Sequence, residues 1–305
     1  MPRLLHTLLL TLTLGLTGLP VSASAPQTLS IRIPQQSASN IGHNSYIIEL
    51  LEMALERSKA KDEIIEITQL QSNLSQARLI AELQRGEALD VIWTMTSINR
   101  EAVIDPIRIP LLKGLLGQRV FLVRKDRASD FSDITELQQL QAFMAGQGSH
   151  WPDTPVLRHN GLNVVTTTNY PLLFDMLAGG RFDYFPRGAN EAWQELKVHA
   201  DKPLQVEPSL LLSYVAPMYF FVRPDNQALA ERLRKGLSSL HKDGSFDRHF
   251  YQHSSVRAML SNINIENRRI FKLDNPLLPK NTPTDVPDYW LKLNQEKQAA
   301  AIIEP

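Results

Sequence analysis

The sequence predicts an α/β fold built as two lobes. Short apolar runs typical of strands are followed by longer runs with helical spacing, and this alternation occurs twice along the chain. A hydrophobic content of 43% over 305 residues indicates a substantial core. Because a strand, a helix and a further strand in succession favour parallel pairing, each lobe is expected to hold a mixed, mostly parallel sheet flanked by helices.

The first lobe begins with a run of strands and helices in strict alternation. Its elements are predicted as a strand over 29–33, a helix over 45–57, a strand over 64–70, a helix over 75–85 that ends at Gly86, and a strand over 89–94. We expect residues 26–120 and 221–275 to form this lobe.

The second lobe repeats the pattern over residues 121–220. Its elements are predicted as strands over 120–123, 141–145, 164–167 and 181–185, and helices over 131–139, 170–179 and 190–198. A strand over 214–222 and a helix over 227–241 then lead the chain back to the first lobe. We expect it to cross between lobes near 119–126 and 214–223, and residues 276–305 to form a proline-rich arm and tail on the first lobe.

The first 25 residues have the layout of a secretory signal peptide. A short positive start at Arg3 is followed by a leucine-rich stretch, and small residues follow Pro20. The chain has no cysteine, so disulfides, a thiol nucleophile and a lipidated N-terminal cysteine are excluded. We therefore expect a monomer that diffuses freely in the periplasm after cleavage of its leader.

Charge and motif content argue against several other functions. Basic and acidic residues are balanced at 32 each, which gives no basic surplus for nucleic-acid binding. The sequence lacks an H-E-x-x-H motif, a phosphate-binding loop and a G-x-S-x-G motif, and no third metal ligand is evident near His249 and His253. We expect no catalytic residue, no metal and no cofactor.

Several segments, in a fixed order, resemble the extracellular solute-binding proteins of family 3, the amino-acid type of periplasmic binding protein. These segments cover 89–106, where a D-hydrophobic strand leads to a Ser/Thr loop that ends in Arg100, and 219–245, where a strand and a helix end in Lys-Asp-Gly. The resemblance extends over residues 27–252. It implies a periplasmic-binding-protein-like fold whose lobes close on a ligand by hinge motion, with a membrane permease or a sensor ectodomain as partner.

The resemblance also implies a binding site. Arg100 would clamp a ligand carboxylate, since its planar guanidinium pairs with both oxygens, and Ser97 would add a hydroxyl. Gly148 and Ser149 fall in a turn whose free backbone N–H groups suit an anion. Trp93 and Tyr170 are candidates to line the cleft.

One position departs from the family pattern. Where relatives that bind amino acids place an aspartate for the ligand ammonium, this chain has Gly188. Arg187 could instead bind a second carboxylate, which predicts a dicarboxylate ligand, or Glu191 could restore an ammonium site for an amino acid. Two further alternatives remain open: an enzyme that uses Glu191 or Asp183 as acid or base, and an interaction protein with a degenerate cleft.

Overall fold

The computed structural model describes residues 27–35, 41–72 and 74–291. The expected signal peptide and the tail beyond residue 291 lie outside these described residues. Within them, strands and helices alternate in two groups, and the fold is the mixed α/β architecture that the sequence predicts.

The first group of elements packs around two small sheets. Strands β1 and β2 pair in parallel through a crossover helix, and β11 returns late in the chain to lie antiparallel between β3 and β4. The strands are β1 (Thr28–Ile33), β2 (Ile64–Gln69), β3 (Ile92–Met95), β4 (Asp105–Ile107) and β11 (Met218–Val222). The helices are α1 (Ile41–Arg57), α2 (Gln76–Arg85), α3 (Ile98–Glu101), α7 (Gln227–Lys242), α8 (Ser245–Gln252) and α9 (Ser254–Ile263).

The second group packs around one larger sheet in the order β12-β10-β5-β8-β6-β7, with β9 also paired to β5. Its strands are β5 (Gln118–Arg124), β6 (Met144–Gly148), β7 (Asn163–Thr167), β8 (Tyr184–Gly188), β9 (Leu204–Val206), β10 (Leu210–Ser213) and β12 (Arg269–Lys272). Its helices are α4 (Asp153–His159), α5 (Tyr170–Ala178) and α6 (Ala192–Val198). The β5 strand is completely apolar and buried over Val120–Val123, which places the core on both of its faces.

The strands expected over 141–145 and 181–185 are shifted by three residues, to β6 (Met144–Gly148) and β8 (Tyr184–Gly188), and two further predicted elements differ more. The helix expected over 131–139 is replaced by two 3₁₀ turns, Lys125–Phe131 and Leu137–Ala142. The intervening residues are rich in Ser, Asp and Thr, whose side chains compete for backbone hydrogen bonds and disfavour a continuous helix. The strand expected over 214–222 begins only at Met218, as β11, because residues 214–217 carry the chain from β10 in one sheet to β11 in the other.

The chain crosses between the sheets once more than expected. After α9, strand β12 pairs in parallel with β10, so the segment expected to complete the first lobe ends on the sheet of the second. The arm then runs along the first group of elements, where the Ile98 amide donates to Leu277 O at 2.9 Å and the Leu291 amide donates to Lys113 O at 2.8 Å. The C-terminal segment therefore contacts the second group through β12 and the first group through the arm.

His241, at the end of α7, makes stability sensitive to acid. Its ring stacks on Phe246 with centroids 3.9 Å apart, and burial lowers its pKa to about 4 from 6.5. Between these two pH values the unfolded chain takes up a proton that the folded chain does not, so the free energy of unfolding falls as the pH drops.

We therefore expect His241→Phe to reduce the dependence of unfolding free energy on pH between about 6.5 and 4. The loss of slope is expected to be below the one-proton limit of about 1.4 kcal/mol per pH unit, because the ring is only partly buried. Urea unfolding at several pH values measures it, with the exposed residue His159 changed to Phe as control. An unchanged slope in His241→Phe would contradict the prediction.

Candidate functional site

A cavity of about 250 Å³ lies between the first and the second group of elements, which are called the first and the second lobe from here on. The first lobe contributes Gln76, Trp93 and Thr94 to its wall, and the second contributes Trp151, Asp153, Tyr170, Arg187 and Glu191. Arg119, at the start of β5, completes the wall where the chain passes between the lobes. Aromatic faces and charges of both signs thus meet in one cleft, which is the usual composition of a small-molecule site.

Arg187 is held in this wall by two carboxylates. Strand β8 places it beside Val120 of β5, and only 4% of it is exposed. Its guanidinium contacts Glu195 through Nε at 2.8 Å and Nη2 at 2.5 Å, and Nη2 lies 3.0 Å from Glu191 Oε2. Burial alone would lower the pKa of Arg187, but these two carboxylates raise it well above its ordinary value.

Aromatic rings hold the Arg187 guanidinium from the sides. It lies 4.8 Å from the centroid of Trp151 and 5.7 Å from that of Tyr170. The Tyr170 hydroxyl donates to Glu195 Oε1 at 2.7 Å, and burial, together with that carboxylate, raises the pKa of Tyr170 above its ordinary range. Tyr170 and Arg187 are therefore both held by Glu195, which is completely buried.

A second set of contacts surrounds Asp153 at the start of α4. Its Oδ1 lies 2.5 Å from Arg119 Nη2 and also accepts a hydrogen bond from the Tyr214 hydroxyl. Arg119 Nε in turn donates to Tyr214 Oη at 3.0 Å, and Arg119 Nη1 lies 3.5 Å from Glu191. Two guanidinium groups and three carboxylates therefore meet at this side of the cavity, counting Glu195 behind the wall, which leaves one formal negative charge in excess.

Arg100 lies behind the wall of the first lobe and does not line the cavity. Its Nη1 donates to Thr94 Oγ1 at 2.5 Å and to Met95 O at 2.8 Å, and its Nη2 donates to Gln76 Oε1 at 2.7 Å. The same Nη2 reaches His150 O of the second lobe at 3.5 Å. Burial lowers the pKa of Arg100 to about 10, although the nearby Asp153 carboxylate opposes the shift.

Ser97 caps the short α3 helix that carries Arg100. Its Oγ accepts from the Arg100 amide at 3.2 Å, and the side chain is buried. The structure thus gives the Ser97 hydroxyl a local backbone partner, and Ser97 is outside the cavity wall.

Gly148 and Ser149 also lie outside the main cavity and line a neighbouring space of about 20 Å³. The Ser149 amide, which we expected to be free for an anion, donates to Thr167 O at 3.0 Å. A Cβ atom on Gly148 would come within 2.4 Å of the Trp151 ring, so glycine lets that ring pack against the end of β6.

The structure brings together half of the residues that we singled out. Trp93, Tyr170, Arg187 and Glu191 line one cavity, whereas the other four, Ser97, Arg100, Gly148 and Ser149, lie beside it. Arg119, Asp153 and Glu195 were missed. Glu195 could have been found from its spacing, because it follows Glu191 by four residues and so shares a face of α6.

The described residues lack two further features. Among them, no helix is both long and apolar enough to cross a membrane. They also contain no group of three or more His, Cys, Asp or Glu residues arranged to hold a metal ion.

No protein-family model matches the chain, and no curated protein sequence matches it. Solved structures do match it. The VFT2 domain of BvgS from Bordetella pertussis, as a double mutant, is 19% identical with a TM-score of 0.56, over 76% of this chain and 93% of that one. An ancestral arginine-binding protein bound to arginine is 19% identical with a TM-score of 0.54, over 74% and 98%.

A third solved structure is a histidine kinase sensor domain with similarity to periplasmic binding proteins. It is 16% identical with a TM-score of 0.53, over 75% of this chain and 97% of the other. At such identities the likeness concerns the fold alone, and it agrees with the two-lobed architecture described above. The chain has the bilobal fold of the periplasmic binding proteins.

Proposed function

We propose that this chain is a periplasmic solute-binding protein that captures a small carboxylate-bearing ligand between its lobes for a membrane transporter or a sensor ectodomain. The observation that carries the proposal is the cavity of about 250 Å³, to which both lobes contribute aromatic and charged side chains. A ligand in this position would contact both lobes at once and so favour their closed arrangement. The neighbours in fold include both a protein bound to arginine and a sensor domain, which supports either partner.

The charges favour an amino acid over a dicarboxylate. Arg187 was the candidate for a second ligand carboxylate, but Glu195 and Glu191 already engage its Nε and Nη2 atoms. The excess negative charge of the second lobe faces Arg100 of the first, so a ligand with one ammonium and one carboxylate keeps the site balanced. A dicarboxylate would add two negative charges beside three carboxylates, which is costly in a buried site.

We therefore place the ligand ammonium against Asp153 and Glu191, beside the rings of Trp93 and Trp151. The ligand carboxylate would reach Arg100 Nη2 by replacing the contacts with Gln76 and His150. A carboxylate is a stronger partner for guanidinium than a neutral amide or carbonyl oxygen, because both oxygens and the opposite charge contribute.

An enzyme with this fold is the second candidate, and the structure offers it few groups. Asp183 is outside the cavity wall, where its Oδ2 accepts from the Met144 amide at 2.7 Å. Glu191 is held by Arg187, Arg119 and the Gly188 amide. A general base needs a reacting proton within hydrogen-bond reach, and Oε2 of Glu191 is already engaged by these three partners.

A thermal-shift screen of the mature protein tests the proposal. Amino acids, dicarboxylates, polyamines and peptidoglycan fragments are compared, and an amino acid at about 100 times its Kd is expected to add roughly 3 kcal/mol of stability, or several degrees. A response to dicarboxylates alone would overturn the assignment of an amino acid. Turnover of a bound acid would establish the enzyme, and no response to any compound would support the interaction protein.

A further inference from the structure

Arg119, Asp153 and Tyr214 form a ring of mutual contacts between the cavity and the chain segments that cross between the lobes. All three side chains are buried, with exposures of 3%, 6% and 5%. Asp153 Oδ1 accepts from both Arg119 Nη2 and Tyr214 Oη, and Arg119 Nε donates to Tyr214 Oη at 3.0 Å. Each member therefore contacts both of the others, and Asp153 alone among the three belongs to a helix.

The other two members stand on the two chain segments that pass between the lobes. Arg119 is the second residue of β5, at the end of the first crossing, and Tyr214 directly follows β10, at the start of the return crossing. The crossings touch at this level, because the Tyr214 amide donates to Gly117 O at 3.1 Å. A Cβ atom on Gly117 would lie 1.9 Å from Tyr214 O, so the two backbones are as close as glycine permits.

We infer that Asp153 is a positioning residue. Its carboxylate couples a ligand in the cavity to the hinge, which is formed by the two chain segments that pass between the lobes. This inference rests on the proposed ligand cavity, whose wall includes both Asp153 and Arg119. A ligand ammonium placed against Asp153 shares the carboxylate with Arg119 and Tyr214 and so weakens its hold on both crossings. Hinges change at a few residues near the ends of elements, and these three groups lie at such a point.

The burial of the ring makes the charge of Asp153 important. Hydrogen bonds to a carboxylate are stronger than those to a neutral acceptor, and they are stronger still in a buried site that excludes water. A change of Asp153 to Asn keeps the shape of the side chain and removes its negative charge. It therefore imitates the effect of a bound cation, which would neutralise that charge. We expect this change to loosen the crossings without any ligand.

The experiment measures the distance between the lobes in the absence of ligand. The protein has no native cysteine, so spin labels can be attached to Lys61→Cys and Lys197→Cys, which are exposed on the first and second lobe respectively. Pulsed electron resonance then gives the distance distribution. Asp153→Asn and Tyr214→Phe are each compared with a matched control, Asp130→Asn in an exposed ion pair and Tyr184→Phe.

Tyr184 is a suitable control because it is a buried tyrosine of the same lobe whose hydroxyl has no hydrogen-bond partner among the described residues. The expected result is a shift or broadening of the distribution in Asp153→Asn and Tyr214→Phe, with both controls like the unmodified protein. A distribution that stays unchanged in Tyr214→Phe, and in Asp153→Asn where that variant folds, would overturn the inference, even if the melting temperature falls. Because no ligand is added, a shift supports the coupling even when the ligand screen fails.

Discussion

Replacement of Arg187 by Met is expected to lower the free energy of unfolding by about 3–5 kcal/mol. The change leaves Glu195, which is completely buried, without its cationic partner and removes one of the two guanidinium groups that contact Glu191. A buried carboxylate that loses its partner keeps its desolvation cost and loses the attraction that offset it. Methionine fills the space between Trp151 and Phe185, so the loss reflects the charge more than the packing.

Urea unfolding measures this loss of unfolding free energy, and it is compared with the effects of two further variants. Arg127→Met breaks the exposed pair with Asp130 and is expected to cost less than about 1 kcal/mol. The double change of Arg187→Met and Glu195→Leu removes both buried charges and is expected to recover part of the stability. Equal costs for Arg187→Met and Arg127→Met would contradict the role given to the buried pair.

The order of elements could be predicted because it depends on local patterns. The apolar run over 120–123 and the helix that ends at Gly86 are both present, since a buried strand and a helix end each have a clear signature. The place where β10 passes into β11 has no such signature. Both strands are apolar and belong to different sheets, and the connection over residues 214–217 is apolar as well, so hydrophobicity alone does not separate them.

The candidate site was harder to predict because its charges pair across distant segments. The sequence analysis assigned Arg187 to a ligand carboxylate, and although its spacing places Glu195 on the same helical face as Glu191, that spacing does not show that Glu195 pairs with Arg187. Arg119 and Asp153 are 34 positions apart, and the sheet and α4 bring them together. The resemblance to a family was enough to single out Arg100. The sequence departs from that family at Gly188, so the pairing of charges in the second lobe could not be predicted from the resemblance.

The position of Arg100 makes it the residue with the largest expected effect on ligand affinity. Its two Nη atoms are directed towards Thr94 and Gln76, which line the cavity, and towards His150 O on the opposite lobe. A carboxylate at that point would meet a planar fork whose Nη1 is already held by Thr94 Oγ1 and Met95 O. Burial makes the cation costly to keep without a negative partner, as the lowered pKa of Arg100 shows, so a ligand carboxylate would relieve that cost.

We therefore expect Arg100→Gln to weaken binding of the amino acid found in the screen by at least about 30-fold, which corresponds to about 2 kcal/mol. Arg100→Lys keeps the charge but loses the fork, so its affinity should fall between those of the glutamine variant and the unmodified protein. Titration calorimetry measures both, with Arg85→Lys on the exposed face of α2 as control. If both Arg100 variants fold and bind as tightly as the unmodified protein, the ligand carboxylate lies elsewhere. The Arg100 guanidinium would then help to hold the lobes together through His150 O and would play no part in binding the ligand.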